Sequence, residues 1–136
     1  MSISSPLTIP RTIHDAMLDH CRRDAPLEAC GVLGGRGSAV LAFHPLRNAA
    51  ASETRYSVDP LELVELARTL RDARTEIVAI YHSHPRWSAR PSKVDLAENY
   101  HEGTPRIIVS LLTEPPEVRI WRFEGDSYSE IAWELV

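Results

Sequence analysis

The sequence has 136 residues, 43% apolar and 25% charged, with a net charge of −4, a balance ordinary for one globular domain that buries roughly two thirds of its unfolded surface. The acidic excess argues against nucleic acid or an anionic membrane as partner, since both need a basic footprint. No apolar run approaches the roughly 18 residues of a membrane span, and MSISSPLTIP lacks a basic segment followed by an apolar one, so no signal peptide is expected and the cytoplasm is the expected compartment.

In chain order, Ile9, Ile13, Ala16, Met17 and Cys21 recur at helical spacing, with Pro10 suited to a first turn. EACGVLGG reads as a strand from Glu28, GGRG as a tight turn, and SAVLAFHPL as the partner strand ending near Pro45. RYSVD is a brief extended piece. Asp59 then caps a helix reaching about Arg74, with Glu62 three residues on and Leu63, Val64, Ala67 and Leu70 as its apolar stripe. EIVAIYHSH is a near-continuous apolar run that suits a strand covered on both faces. A third helix opens at Pro91-Ser92 and runs through SKVDLAENY; RIIVSLL, VRIWRF and YSEIAWEL read as three further strands separated by turn-forming segments. The order predicts an α/β fold, a mixed sheet flanked by helices, in one domain spanning residues 1–136. With no secretory signal, Cys21 and Cys30 are expected to be buried free thiols.

The chemistry concentrates in YHSHPRWSARPSKVDL. Residues two apart on a strand share a face, so His82 and His84 point the same way and Ser83 turns from them. Pro85 stops the strand, which places both imidazoles at its mouth rather than deep in the core. Two neutral imidazoles converging on one point suit zinc, and a catalytic zinc wants a third protein ligand and one position left for water. Asp95, in the first turn of a helix capped by Ser92, supplies that third ligand if the loop from Pro85 to Pro91 folds back over the strand. A carboxylate must still move the proton of the activated water to the leaving amine, and Glu28 is the choice; Ser92 is placed to donate a hydrogen bond to the developing oxyanion.

Each residue has a plainer reading. Ser92 can be only a cap, Asp95 only a first-turn acid favoured by the helix dipole, and Glu28 a solvated strand-edge charge. What favours a metal site is the combination, because caps and dipoles do not require His-x-His at the end of the preceding strand. Competing zinc arrangements fail on missing parts. There is no His-x-Glu with Pro-Cys-x-x-Cys and no His-Glu-x-x-His. An amidohydrolase barrel needs about 250 residues, and a cupin would be nearly all strand. Trp87, between the ligands, serves equally as an exposed substrate contact or as cover for a core edge; Trp121 and Trp133 read as core or sheet-face residues.

HSHPRWSARPSKVD with the upstream Glu28 of EACGVLGG resembles the JAMM, or MPN-plus, metallopeptidases, whose pattern is H-[ST]-H-P-x6-S-x2-D. The likeness extends through RYSVDPLEL and EIVAIYHSHP to RIIVSL and is greatest to compact free-standing prokaryotic members. It implies a sheet flanked by helices related to the cytidine-deaminase fold. It also implies one zinc ion per chain on His82, His84 and Asp95, Glu28 as general base and acid, and Ser92 as oxyanion helper. The implied activity is peptidase or isopeptidase cleavage after the Gly-Gly tail of a ubiquitin-like or sulfur-carrier protein. Only seven residues separate His84 from Ser92, too few for the insertions that clasp a second ubiquitin, which favours the sulfur-carrier reading. Two alternatives stand beside it: a metallohydrolase of other small peptide amides, and a non-catalytic scaffold.

Overall fold

The computed structural model describes residues 6–98 and 103–136. The elements follow as β1 (Leu7–Ile9), α1 (Arg11–Asp24), β2 (Cys30–Arg36), β3 (Ala39–Leu46), α2 (Pro60–Asp72), β4 (Glu76–His84), α3 (Lys93–Ala97), β5 (Arg106–Ser110), β6 (Glu117–Glu124), β7 (Ser127–Glu130) and β8 (Trp133–Leu135). The strands form one mixed sheet in the order β7-β6-β5-β4-β2-β3-β1-β8. β4 is central, antiparallel to β2 and parallel to β5, and Val78 to His84 are all buried, as its unbroken apolar run predicts for a strand covered on both faces.

The alternation of β4 divides the core. Ala79 and Tyr81 pack with Met17, Leu18 and Cys21 of α1 on one face. Ile80 packs with Cys30, Val32, Leu66 and Leu70 under α2 on the other, the face that also carries His82. A Cβ at Gly31 would overlap the Tyr81 ring, so the Cys-Gly step of β2 is what allows that ring to lie flat against the neighbouring strand. A third cluster, Ala89, Ile108, Trp121 and Phe123, seats the loop after β4 on the sheet. Trp121 Nε1 donates to the Ala89 carbonyl at 2.8 Å, which ties this loop down with a polar bond as well as apolar contact. Both thiols are free and buried.

The expected mixed sheet with flanking helices is present, with several local differences. Pro10 occupies the cap position of α1, and Ile9 lies in a short strand ahead of the helix. β2 begins at Cys30, two residues after Glu28. Of the expected α2 stripe only Leu70 is buried, together with Leu66; Leu63, Val64 and Ala67 are exposed. YSEIAWEL is two strands: β7 pairs with β6, whereas β8 crosses to the far edge and pairs with β1 in parallel. No glycine or proline marks the crossing within these eight residues, so local turn signals do not show it. The expected end of the third helix, at Asn99 and Tyr100, lies outside the described residues. Among the described residues no helix is long and apolar enough to cross a membrane.

Candidate metal centre

His82 and His84 end β4 side by side, and α3 brings Asp95 over them. His82 Nε2 is 3.0 Å from Asp95 Oδ1, His84 Nε2 is 3.0 Å from Asp95 Oδ2, and the two imidazole nitrogens are 3.2 Å apart. All three residues are buried, the histidines almost completely (His82 0%, His84 1% exposed), so they lie deeper than the strand mouth expected from the sequence. The cause is the fold-back of the loop from Pro85 to Pro91, whose Ala89 is itself buried.

Local hydrogen bonds fix these groups. His84 Nδ1 lies 2.7 Å from the Ser88 carbonyl, which can only accept, so the proton of a neutral ring sits on Nδ1 and the Nε2 lone pair faces inward. Asp95 and Ser92 form a capping box: Ser92 Oγ accepts the Asp95 N–H at 3.0 Å, and Asp95 Oδ2 accepts the Ser92 N–H at 2.9 Å. The box that starts α3 therefore also aims the carboxylate at the histidines. Lone pairs of two imidazoles and a carboxylate facing one another at 3.0–3.2 Å repel unless a proton or a cation lies among them. The donor set, two borderline nitrogens and one oxygen with every ligand atom within 4.8 Å of the others, fits a zinc ion.

The electrostatics agree. Burial alone would raise the Asp95 pKa, but the charge of His82, hydrogen bonds from His82 and His84 and the Ser92 N–H hold it well below the usual carboxylate range. Burial alone would lower His84, yet the hydrogen bond and charge of Asp95, with the Ser88 carbonyl, leave it raised. Glu28 is different. It is 1% exposed, its Oε1 has no hydrogen-bond partner among the described residues, and burial pushes it up to about 8, against the pull of His84 and with the repulsion of Asp95 and Glu98. A buried, under-satisfied carboxyl near neutrality is suited to taking up and returning a proton. The reading of Glu28 as a solvated strand-edge charge is thus excluded.

A mostly apolar cleft of about 520 Å³ runs from Asp95 past Cys30, Tyr56 and Ile80 to Leu66 and Leu70 beneath α2. The Tyr56 ring lies 5.1 Å from that of His82. Trp87 takes the exposed alternative, with 56% of its surface accessible and its carbonyl held by Ser110 Oγ at 2.5 Å. Tyr56, Ser88 and Asn48, which bonds the Glu28 carbonyl at 3.0 Å, carry no sequence signal. Each acts through a contact made only in three dimensions, and Ser88 through its backbone.

Residues 10–124 match the family described as prokaryotic homologs of the JAB domain. The chain is 34% identical to a desampylase of Haloferax volcanii, over 95% of this chain and 96% of that one. It is 37% identical to a CysO-cysteine peptidase of Mycobacterium tuberculosis, over 91% and 87%. Among solved structures, protein DSY2949 of Desulfitobacterium hafniense superposes with a TM-score of 0.87 at 30% identity, covering 95% of this chain and 92% of that one. A mixed sheet with flanking helices and a His-His-Asp cluster at the end of its central strand defines the JAMM class of domain. The chain belongs to the prokaryotic homologues of the JAB domain, which bears out the resemblance read from HSHPRWSARPSKVD.

Proposed function

We propose that the chain is a cytoplasmic zinc-dependent peptidase, one domain over residues 1–136 with one zinc ion per chain, that hydrolyses the bond after the Gly-Gly tail of a ubiquitin-like or sulfur-carrier protein. The observation that carries this reading is the convergence of His82, His84 and Asp95 within 4.8 Å, beside a buried Glu28 whose carboxyl sits near 8. Relatives named for desampylation and for a CysO–cysteine bond agree with a small protein as carrier, and the second agrees with a small leaving amine.

His82 Nε2, His84 Nε2 and Asp95 would hold the metal. When bound, zinc polarises the scissile carbonyl and acidifies water. Glu28 takes the proton of the attacking water and returns it to the leaving amine; its burial makes both transfers feasible near neutral pH. Ser92 Oγ, already accepting from Asp95 N, keeps its O–H free to donate to the developing oxyanion. The cleft that opens beside Asp95 admits an extended tail, and glycines at its end remove the side chains that would collide where the backbone nears the site.

The test is cleavage of a Gly-Gly-tailed carrier with a C-terminal extension, beside a panel of free dipeptides. Glu28→Gln should keep zinc and lose most turnover, whereas His82→Ala should lose both. Cleavage of dipeptides alone would replace the carrier substrate with small amides. A stably folded sample that binds a carrier without ever taking up zinc would make the chain a scaffold.

A further inference from the structure

We infer that Asn48 and Ser83 are positioning residues for proton transfer, forming a clamp that holds the backbone of Glu28 and Ala29 and so aims the Glu28 carboxyl. The inference rests on the reading of Glu28 as the proton carrier.

Glu28 cannot be aimed by its own carboxyl alone, because Oε1 has no partner among the described residues and a buried side chain without such bonds follows its backbone. Nor does the sheet hold it, since β2 begins only at Cys30. The four backbone groups of Glu28 and Ala29 are instead held one by one. Glu28 N–H donates to the Ser52 carbonyl at 2.8 Å, and the Glu28 carbonyl accepts from Asn48 Nδ2 at 3.0 Å. Ala29 N–H donates to Ser83 Oγ at 2.8 Å, and the Ala29 carbonyl accepts from Ser83 N–H at 3.0 Å.

Ser83 thus binds both polar groups of Ala29, one through its side chain, from the position between the two histidines. This gives its hydroxyl a use on the face of β4 opposite the metal cluster. The hydroxyl couples the placement of Glu28 to that of His82 and His84, because all three depend on the last residues of one strand. Asn48 does the same from the other side. Besides the Glu28 carbonyl, its Nδ2 donates to the Arg55 carbonyl at 3.0 Å and more distantly to Ser52 O at 3.4 Å. Its Oδ1 accepts from Ala50 N at 3.0 Å and Ser57 N at 3.2 Å. One buried carboxamide therefore closes the loop from 48 to 57 and fastens it to Glu28, and that loop carries Tyr56 against the His82 ring. Neither residue bonds a ligand atom; the side-chain bonds to the Glu28 carbonyl and the Ala29 N–H are what tie them to the proton carrier.

The experiment is a double-mutant cycle on the zinc-loaded enzyme with the Gly-Gly-tailed carrier fusion. Asn48→Ala and Ser83→Ala are each made alone and in the Glu28→Gln background, and zinc content, kcat and KM are measured. Displacing a reacting group by about 1 Å costs on the order of 100-fold, so each single variant should lose roughly 10- to 100-fold in kcat. KM should stay within about twofold and zinc should be retained. In the Glu28→Gln background neither should cost anything further, because nothing is left to aim. Ser83→Thr, which keeps the hydroxyl, should recover most of the rate. If Asn48→Ala does not fold, the Ser83 pair decides alone. Wild-type kcat in the single variants, the same fold-loss with and without Glu28, or zinc loss in step with activity would each overturn the clamp. A wild-type rate for Glu28→Gln itself would instead remove the base assignment on which the clamp depends, and the two failures are told apart by that one variant.

Discussion

Glu28→Gln should stabilise the chelator-stripped protein at the same time as it disables the enzyme. The Glu28 carboxyl stands at about 8 instead of the ordinary 4.5, chiefly because it is buried. A carboxyl raised on folding adds stability that is fully present below its unfolded pKa and is lost as pH rises through its folded pKa. At 1.36 kcal/mol per pH unit, the ionised carboxylate then costs about 5 kcal/mol above pH 8, and under about 1 kcal/mol at pH 5. Glutamine keeps the shape without the charge but leaves a buried amide short of partners, a cost of about 1–3 kcal/mol. Relative to wild type, Glu28→Gln should therefore be near neutral or slightly destabilised at pH 5. It should gain steadily between about pH 5 and 8 and level off some 2–4 kcal/mol more stable. Urea unfolding at pH 5, 7 and 9 reads this directly; Asp95 and His84 are present in both proteins and enter the difference only through their charge coupling to Glu28, which is secondary to its burial. A difference that does not change with pH would refute the reasoning: Glu28 would then ionise as readily in the folded chain as in water.

The remaining predictions concern the ligands and the cap. Because Asp95 raises His84, a proton competes with zinc for that ring as pH drops through the His84 titration, and zinc affinity should fall there. Calorimetry in buffers of different ionisation heat should register the released proton. Asp95→Asn keeps an oxygen able to accept the Ser92 N–H, so it should preserve α3 while lowering zinc affinity at least about 10-fold, the lower end of what even an outer partner of a metal ligand costs; equilibrium dialysis measures it. Ser92→Ala should cost about 1 kcal/mol through the lost cap. Ser92→Asn should restore that stability, leaving the turnover low if the hydroxyl is what the reaction uses, and thermal melts beside kcat separate the two contributions.

How far the sequence reaches depends on how local the cause is. His82, His84, Ser92 and Asp95 were legible because strand alternation and a capping box are short-range rules, and the structure brings the two histidines and Asp95 within 4.8 Å. Glu28 was legible only as an acid beside buried positions. Its backbone and that of Ala29 are held by Asn48, Ser52 and Ser83, residues up to 55 positions away, and no pattern in EACGVLGG states that. The depth of the histidines depends on the loop that Trp121 pins through Ala89, again a long-range contact. β1, and the break that separates β8 from β7, escaped for a related reason: β1 and β8 have three residues each and are held by pairing with one another, β1 also with β3. The α2 stripe was read too wide because Leu63 and Val64 have the right residue type but face solvent, beside a cleft that periodicity does not see.

X-ray absorption at the zinc edge of the loaded protein reads out whether His82, His84 and Asp95 hold the metal. One equivalent of zinc is expected, with two imidazole nitrogens and oxygen ligands at about 2.0–2.2 Å, and His82→Ala should no longer retain the metal. Sulfur at about 2.3 Å, which would bring in Cys30 or Cys21, or a spectrum unchanged by His82→Ala, would contradict it.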